Sequence, residues 1–274
     1  MKWIPYKHIF REYGLQDTEL TDQLWEDALH EIALKVTQGE ADGIHFDTVY
    51  AQYRWWKNGK EAIYIDTRSL VDFVANAKFS VDSIDIPMSG NVVFLFPNDA
   101  TIDGCRIPPI LASEGVVLRG SNTINAVSFF LSKGSLEHGK CSVCGVPSDR
   151  ISEFLSGSGD YGKDVSFGHE YFIIAARLCV YLSVFPQALI HGFPESMKLR
   201  EDRAHNKSSC QNHTMRLSGR FSNTPLAHFR RGHFRMLRHE RFRRNIDGSN
   251  RIVYVNNSIV AATGNEKTAI KVDC

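Results

Sequence analysis

The segment that most constrains the fold comprises residues 170–184, which read EYFIIAARLCVYLSV. Apolar side chains cover nearly every side of this segment when it is drawn as a helix, instead of forming one stripe. Pro186 ends the helix because proline cannot continue one. Such a helix needs cover on all sides, so we expect it at the centre of a core built by several other elements. A chain of 274 residues with 43% apolar content can supply that core.

Three further helices are predicted from periodicity and capping. From residue 20 to residue 36, apolar residues recur at every fourth position, and Asp17 or Thr18 can cap this helix. Asp66 or Thr67 can cap a second helix that ends near residue 77. A short helix is expected over residues 148–155, within a stretch rich in Gly, Ser and Pro.

Strands are predicted from β-branched and aromatic content. Residues 49–56 and 62–66 flank Asn58-Gly59, a pair that tolerates the backbone angles of a tight turn, so we predict a β-hairpin there. In that hairpin, Trp55 and Trp56 would point to opposite faces. Other strands are expected at residues 91–96, 115–119, 124–131, 251–255 and 259–262. The mixture predicts an α+β fold, a single large domain of helices and antiparallel sheet with a basic, β-containing C-terminal segment.

Charge divides the chain by position. Residues 198–251 contain 14 Lys and Arg against 4 Asp and Glu, whereas the rest of the chain contains 18 against 27. We therefore expect an acidic α+β body at residues 1–199, a polar linker or excursion at 200–227, and a basic part at 228–274 that packs on the body. This asymmetry favours a partner that carries negative charge, such as nucleic acid.

The basic part is densest at residues 228–244, HFRRGHFRMLRHERFRR. The planar guanidinium groups of its arginines can donate paired hydrogen bonds to phosphates. The rings of Phe229, Phe234 and Phe242 could stack on bases. Gly232 permits a bend in the chain. His228 and His233 could stabilise that bend or contact a phosphate. The candidate partner-binding residues are His228, Arg230, Arg231, Gly232, His233, Arg235, Arg238 and Arg241. The alternative is a solvated arginine face that pairs with the acidic body.

Two chemical interpretations compete with simple binding. A ribonuclease could use His228, His233 or His239, with Glu240, as general acid and base, although no catalytic residue can be assigned. Zinc could be held by a Cys3His set, because thiolates and imidazole suit a tetrahedral ion. That set would be Cys141, Cys144, Cys210 and His213. The alternative is that these are ordinary core or surface thiols, and we expect no required cofactor.

The expected location is the cytoplasm. The first residues, MKWIPYKHIFREYG, lack the apolar region of a signal peptide, and no stretch approaches the roughly 20 apolar residues of a membrane span. The six cysteines are too sparse for a disulfide-built scaffold.

A resemblance to a known family is carried by the motif His228-Phe-Arg-Arg-Gly-His233-Phe-Arg235, which is followed by a predicted strand at residues 251–256. This order resembles the C-terminal signature of the second type V-A anti-CRISPR family, in which a His-x-Arg-Arg-Gly-His-aromatic motif precedes a strand of alternating basic and aromatic residues. Residues 62–66, AIYID, are similar to that family's aromatic strand, and residues 178–181, LCVY, to part of its apolar helix.

The resemblance implies an inhibitor encoded by a phage or mobile element and acting in the cytoplasm of a bacterial host. Its partner would be a CRISPR effector nuclease, recognised either as the folded protein or through its nascent N-terminal peptide. The result would be loss of the mRNA that encodes the effector. Contact with mRNA or the ribosome is implied as well, and contact with membranes is not. We expect a binding protein more than an enzyme. The alternative is an RNA-binding protein or histidine-dependent ribonuclease with another target.

Overall fold

The computed structural model describes residues 20–40, 43–102, 104–119, 122–131, 143–157, 169–194, 211–217, 229–230, 233–238, 251–255 and 258–259. The helices are α1 (Asp22–Thr37), α2 (Gly43–Lys57), α3 (Arg68–Asn76), α4 (Ile151–Ser156) and α5 (His169–Val184). The first seven strands are β1 (Ala62–Ile65), β2 (Lys78–Ser80), β3 (Asn91–Leu95), β4 (Thr101–Ile102), β5 (Cys105–Arg106), β6 (Ile110–Arg119) and β7 (Asn122–Leu131). The others are β8 (Val143–Pro147), β9 (Leu189–His191), β10 (Asn212–Met215), β11 (Phe229–Arg230), β12 (His233–Met236), β13 (Ile252–Val255) and β14 (Ser258–Ile259).

A seven-stranded sheet forms the centre, in the order β8-β7-β6-β3-β1-β10-β9. β1 runs parallel to both of its neighbours, β3 and β10, while the remaining pairs are antiparallel. The predicted α+β fold in one domain is therefore confirmed, with a mixed sheet in place of a wholly antiparallel one. The parallel pairing of β1 with β3 is possible because the residues between them include α3, which carries the chain back across the sheet.

The two faces of the central sheet bury different helices. α2 covers one face by packing Ala51 and Trp55 against Val93, Leu111 and Phe130. On its other side, α2 packs against α1 through an aromatic cluster that includes Trp25, Tyr53 and Trp56. The opposite face of the sheet carries the larger core, to which α3, α4 and α5 contribute.

α5 lies inside this core, as its sequence predicts. It contacts β6 and β7 of the central sheet, α3 and α4 beside it, and β13 on the far side. Ten of its side chains are buried. The far side is closed by a three-stranded sheet in the order β13-β12-β2, in which β12 pairs antiparallel with β13 and parallel with β2. A helix with no polar stripe is thus accommodated between two sheets.

The predicted hairpin around Asn58-Gly59 is wrong, because residues 43–57 form α2. Aromatic residues suggested a strand, but they serve two packing surfaces: Tyr53 and Trp56 face α1, and Trp55 faces the sheet. The turn itself is real, since Gly59 has a φ of 101° and connects the end of α2 to β1. Both tryptophans therefore serve the interior of the fold.

Within the predicted polar linker or excursion at residues 200–227, the structure describes residues 211–217. Residues 212–215 form β10, which lies between β1 and β9 in the central sheet. The polar composition misled because Asn212 and His213 sit near the end of the strand, while Thr214 and Met215 are buried. α1 was correctly predicted, although its cap is Thr21, whose Oγ1 accepts a hydrogen bond from the amide of Leu24. Asp17 and Thr18 lie outside the described residues.

The other predicted helices and strands agree with the structure where it describes them, and residues 260–262 of the strand predicted at 259–262 lie outside the described residues. α3, α4, β3, β7 and β13 are found close to their expected positions, and the strand predicted at residues 115–119 is the second half of β6. None of the described helices combines the length and apolar content needed to cross a bilayer.

Candidate macromolecule-binding surface

The strand β12 organises the part of the basic motif that the structure describes. Side chains on a strand point alternately to its two faces. Phe234 and Met236 are buried, whereas Arg235 is exposed and His233 is half-buried. β12 therefore holds one face of the motif in the core and turns its other face outward.

Phe234 is the inward anchor, with 0% of its surface exposed. Its ring stacks on Phe79 of β2 at a centroid distance of 4.7 Å and lies 5.0 Å from the ring of Tyr254 of β13. Rings of Tyr181 and Phe185 meet it edge-on from α5 and the residue that follows it. Burial raises the pKa of Tyr254 to about 12. The prediction that Phe234 stacks on bases is therefore wrong, because its ring is enclosed by this cluster.

The outward side of the three-stranded sheet forms what we call the outer sheet face: Lys78, Ser80, His233, Arg235, Val253 and Val255. His233 stands in register with Lys78 on one side and Val255 on the other. Arg235 stands in register with Ser80 and Val253. Neighbouring strands are roughly 4.8 Å apart, so Lys78 and His233 share one row and Arg235 lies in the next.

Positive charge on the outer sheet face is uncompensated by the described chain. Neither Lys78 nor Arg235 makes an ion pair with any described carboxylate. Arg238, two residues beyond β12, differs: its Nη2 lies 2.6 Å from Oδ2 of Asp82. Both side chains are largely exposed, at 65% and 46%. The alternative of arginines that pair with the acidic body thus describes Arg238, whereas Arg235 is exposed and has no ion pair to a described carboxylate.

Comparisons with known proteins give one kind of match. The chain is similar to AcrVA2. That crystal structure shares 15% sequence identity with this chain, the match covers 93% of both chains, and the TM-score is 0.45. No protein-family model matches the chain, and no curated protein matches it.

The other candidate binding residues are only partly described. Arg230 belongs to β11, which pairs with β14 at Ser258. His228, Arg231, Gly232 and Arg241 lie outside the described residues, as do the rings of Phe229 and Phe242. The bend predicted at Gly232 therefore stays a prediction.

The ribonuclease interpretation stays a prediction as well. Of its four residues, His233 is described, and it lies on the outer sheet face beside Lys78. His228, His239 and Glu240 lie outside the described residues.

The predicted Cys3His zinc set is not brought together. Cys144 is buried in β8 at one side of the central sheet, and His213 lies in β10, five strand positions away. Five strand spacings amount to about 24 Å, whereas ligands of one zinc ion lie within a few ångströms of each other. Cys141 and Cys210 lie outside the described residues. Spacing in the sequence could not reveal that Cys144 and His213 lie toward opposite sides of one sheet.

Lys78 and Ser80 are members of the outer sheet face that sequence reasoning missed. Their strand is three residues long, and its Lys-Phe-Ser alternation is too short to distinguish from chance. They become neighbours of the motif only because β2 pairs with β12, across more than 150 residues of chain.

Proposed function

We propose that this chain is an inhibitor of the anti-CRISPR kind, carried by a phage or mobile element. It recognises a CRISPR effector nuclease through its nascent N-terminal peptide, contacts RNA of the translating complex through the outer sheet face, and causes loss of the effector's message. The motif of residues 228–235 and its order before the strand at 251–255 support this choice of target.

The observation that most supports the RNA contact is the orientation of β12. Phe234 is fixed in the core, so the outward side chains Arg235 and His233 stand on a rigid strand. Lys78 adds a cation from β2 in the adjoining row. A cationic face on a rigid sheet can bind a polyanion with a smaller loss of conformational entropy than a flexible loop, because its backbone is already ordered.

The composition of this face favours contact with phosphates over contact with bases. The described rings of its three strands, Phe79, Phe234 and Tyr254, all belong to the inner cluster. Stacking on bases needs exposed rings, whereas phosphate contact needs only cations and gives strong salt dependence. We therefore propose that the outer sheet face binds RNA largely independently of its sequence.

Charge reversal on the outer sheet face tests this contact. The double variant Lys78→Glu and Arg235→Glu should weaken RNA binding, measured by fluorescence anisotropy with a labelled transcript across salt concentrations. Removal of two phosphate contacts should also lower the slope of log affinity against log salt by about 2.

A matched control keeps the same change in net charge elsewhere. Lys35→Glu with Arg68→Glu reverses two exposed cations on α1 and α3, and it should leave the affinity and the salt slope nearly unchanged. Equal losses in both double variants would show that only net charge matters. Unchanged binding in the first variant would remove the outer sheet face from the function.

The target is tested separately, by affinity capture of the tagged chain from bacteria that translate a CRISPR effector, with sequencing of the bound RNA and nascent peptides. Enrichment of the effector's reading frame is expected. Enrichment of a different reading frame, or the absence of any enrichment, would contradict the proposed target. The RNA contact would still be tested independently by the charge-reversal experiment.

A further inference from the structure

A histidine pair lies at the β9 side of the central sheet, away from the outer sheet face. His191 of β9 and His213 of β10 are directly opposite each other in an antiparallel pair. Their ring centroids are 5.3 Å apart, with the ring planes at 79°. Glu61, the residue before β1, joins them: its Oε2 lies 3.0 Å from Nε2 of His213. The three residues come from three separate parts of the chain.

The two histidines differ in exposure, since His213 lies among largely buried groups and His191 faces outward. The side chains of His213 and Glu61 are only 17% and 12% exposed, while His191 is exposed. The backbone oxygen of Glu61 accepts a hydrogen bond from Nε1 of Trp55, 2.7 Å away. Next to His191, the amide of Gly192 donates to the carbonyl of Asn212. Two rigid attachments therefore fix where the histidines stand.

The hydrogen bond to Glu61 decides which nitrogen of His213 can bind a ligand. Because a carboxylate accepts, the neutral imidazole donates its Nε2 proton to Glu61, and its lone pair is then on Nδ1. A carboxylate behind a histidine is the usual way in which proteins orient a metal-binding imidazole and increase its basicity. His191, which is exposed, has the rotational freedom to present a second lone pair.

The spacing of the rings also suits a shared ion. Two imidazoles that bind one zinc ion at about 2.1 Å, with a tetrahedral angle between them, have centroids about 5 Å apart. The observed separation of 5.3 Å is close to that value. Glu61 contacts Nε2 of His213, whereas the lone pair for the ion is on Nδ1, so Glu61 supports His213 without being a ligand itself.

We propose that His191 and His213 bind one divalent transition-metal ion of the zinc class, with water in its remaining positions. Glu61 is a positioning residue that acts through His213. His213 was also a member of the Cys3His alternative considered from the sequence, but in this proposal its partner is His191, across the strand pair, and not Cys144. The proposal is independent of RNA or effector binding.

Calorimetric titration of the untagged full chain with Zn²⁺ tests the site. One ion should bind per chain. His191→Ala, at an exposed position where folding is little affected, should weaken binding at least about tenfold, because one of two protein ligands is lost. His213→Gln should do the same while its amide still donates to Glu61. Glu61→Gln should weaken binding about tenfold through its effect on His213.

His30→Ala is the matched control, because His30 is an exposed histidine of α1. Its titration should match that of the unaltered chain. As a second readout, the electron paramagnetic resonance spectrum of bound Cu²⁺ should show coupling to two imidazole nitrogens, and to one fewer in His191→Ala. Absence of stoichiometric binding, full affinity in His191→Ala, or a spectrum unchanged by that substitution would overturn the proposal.

Discussion

At the scale of single residues, Phe234 shows how a motif can mix two purposes. In the sequence it lies among arginines and suggests a ring for an RNA base. In the structure it is enclosed by rings from β2, β13 and α5, while the adjacent Arg235 is exposed. The alternation of a strand separates the two neighbours: one residue fixes the strand to the core, and the next faces a partner.

Replacement of Phe234 by alanine should lower the free energy of unfolding by about 3 to 5 kcal/mol, because it removes a fully buried ring and leaves a cavity. Urea denaturation followed by circular dichroism measures this loss. Arg235→Ala is the control and should stay within about 0.5 kcal/mol of the unaltered chain, since its side chain is exposed. A Phe234→Ala variant as stable as the control would mean that the ring is not in the core.

At the scale of elements, Arg177 is the one charged side chain of α5 between residues 171 and 184. This guanidinium donates from Nε and Nη2 to the carbonyl of Leu155, at 3.1 and 2.8 Å, and from Nη1 to that of Ala75 at 2.7 Å. These carbonyls lie in the last turns of α4 and α3. Burial lowers the pKa of Arg177, and its carbon Cζ lies 5.0 Å from the centroid of Phe79. One side chain thus connects the C-terminal ends of two helices to the central one.

Arg177→Met should destabilise the fold by about 2 kcal/mol, because the apolar stem is kept but the partly buried carbonyl of Leu155 and the carbonyls at the end of α3 lose their charged donor. Arg177→Lys should lose less, since an ammonium can serve one carbonyl but not the spread that a planar fork reaches. Thermal unfolding and urea denaturation report the difference. Arg68→Met, at an exposed arginine of α3, should change little, and equal stability of the two methionine variants would contradict this role.

At the scale of the whole molecule, segments from the second half of the chain complete layers begun by the first. β10 enters the central sheet between β1 and β9, and β12 enters the outer sheet between β2 and β13. β1 and β2 both precede residue 81, so the two sheets pair distant parts of the chain. Such pairings make folding dependent on the full chain length.

A fragment of residues 1–199 should therefore fail to unfold cooperatively, because it lacks β10, β12 and β13 and exposes one side of α5. Scanning calorimetry and near-ultraviolet circular dichroism of the fragment, beside the full chain, measure this. Addition of a separate fragment of residues 200–274 should restore part of the near-ultraviolet signal. A cooperative transition of the 1–199 fragment at the temperature of the full chain would instead establish the predicted body as an independent unit.

The elements that the sequence by itself determined are those whose evidence is local. The uniform apolar surface of α5, the four-residue repeat of α1 and the β-branched runs of β3 and β7 were sufficient, because these patterns depend on side chains a few residues apart. The order of residues in the HFRRGHFR motif, and its placement before β13, were likewise readable from the chain.

Tertiary structure decided everything that depends on pairing between distant segments. Aromatic residues 49–56 became helix because α1 and the central sheet offered two surfaces to cover, and polar residues 212–215 became a strand because β1 lacked a partner on that side. The burial of Phe234, the separation of Cys144 from His213, and the contact of His213 with His191 and Glu61 all follow from which strands become neighbours. Local propensity differs between these outcomes by roughly 1 kcal/mol or less per residue, and burial of a large side chain outweighs it.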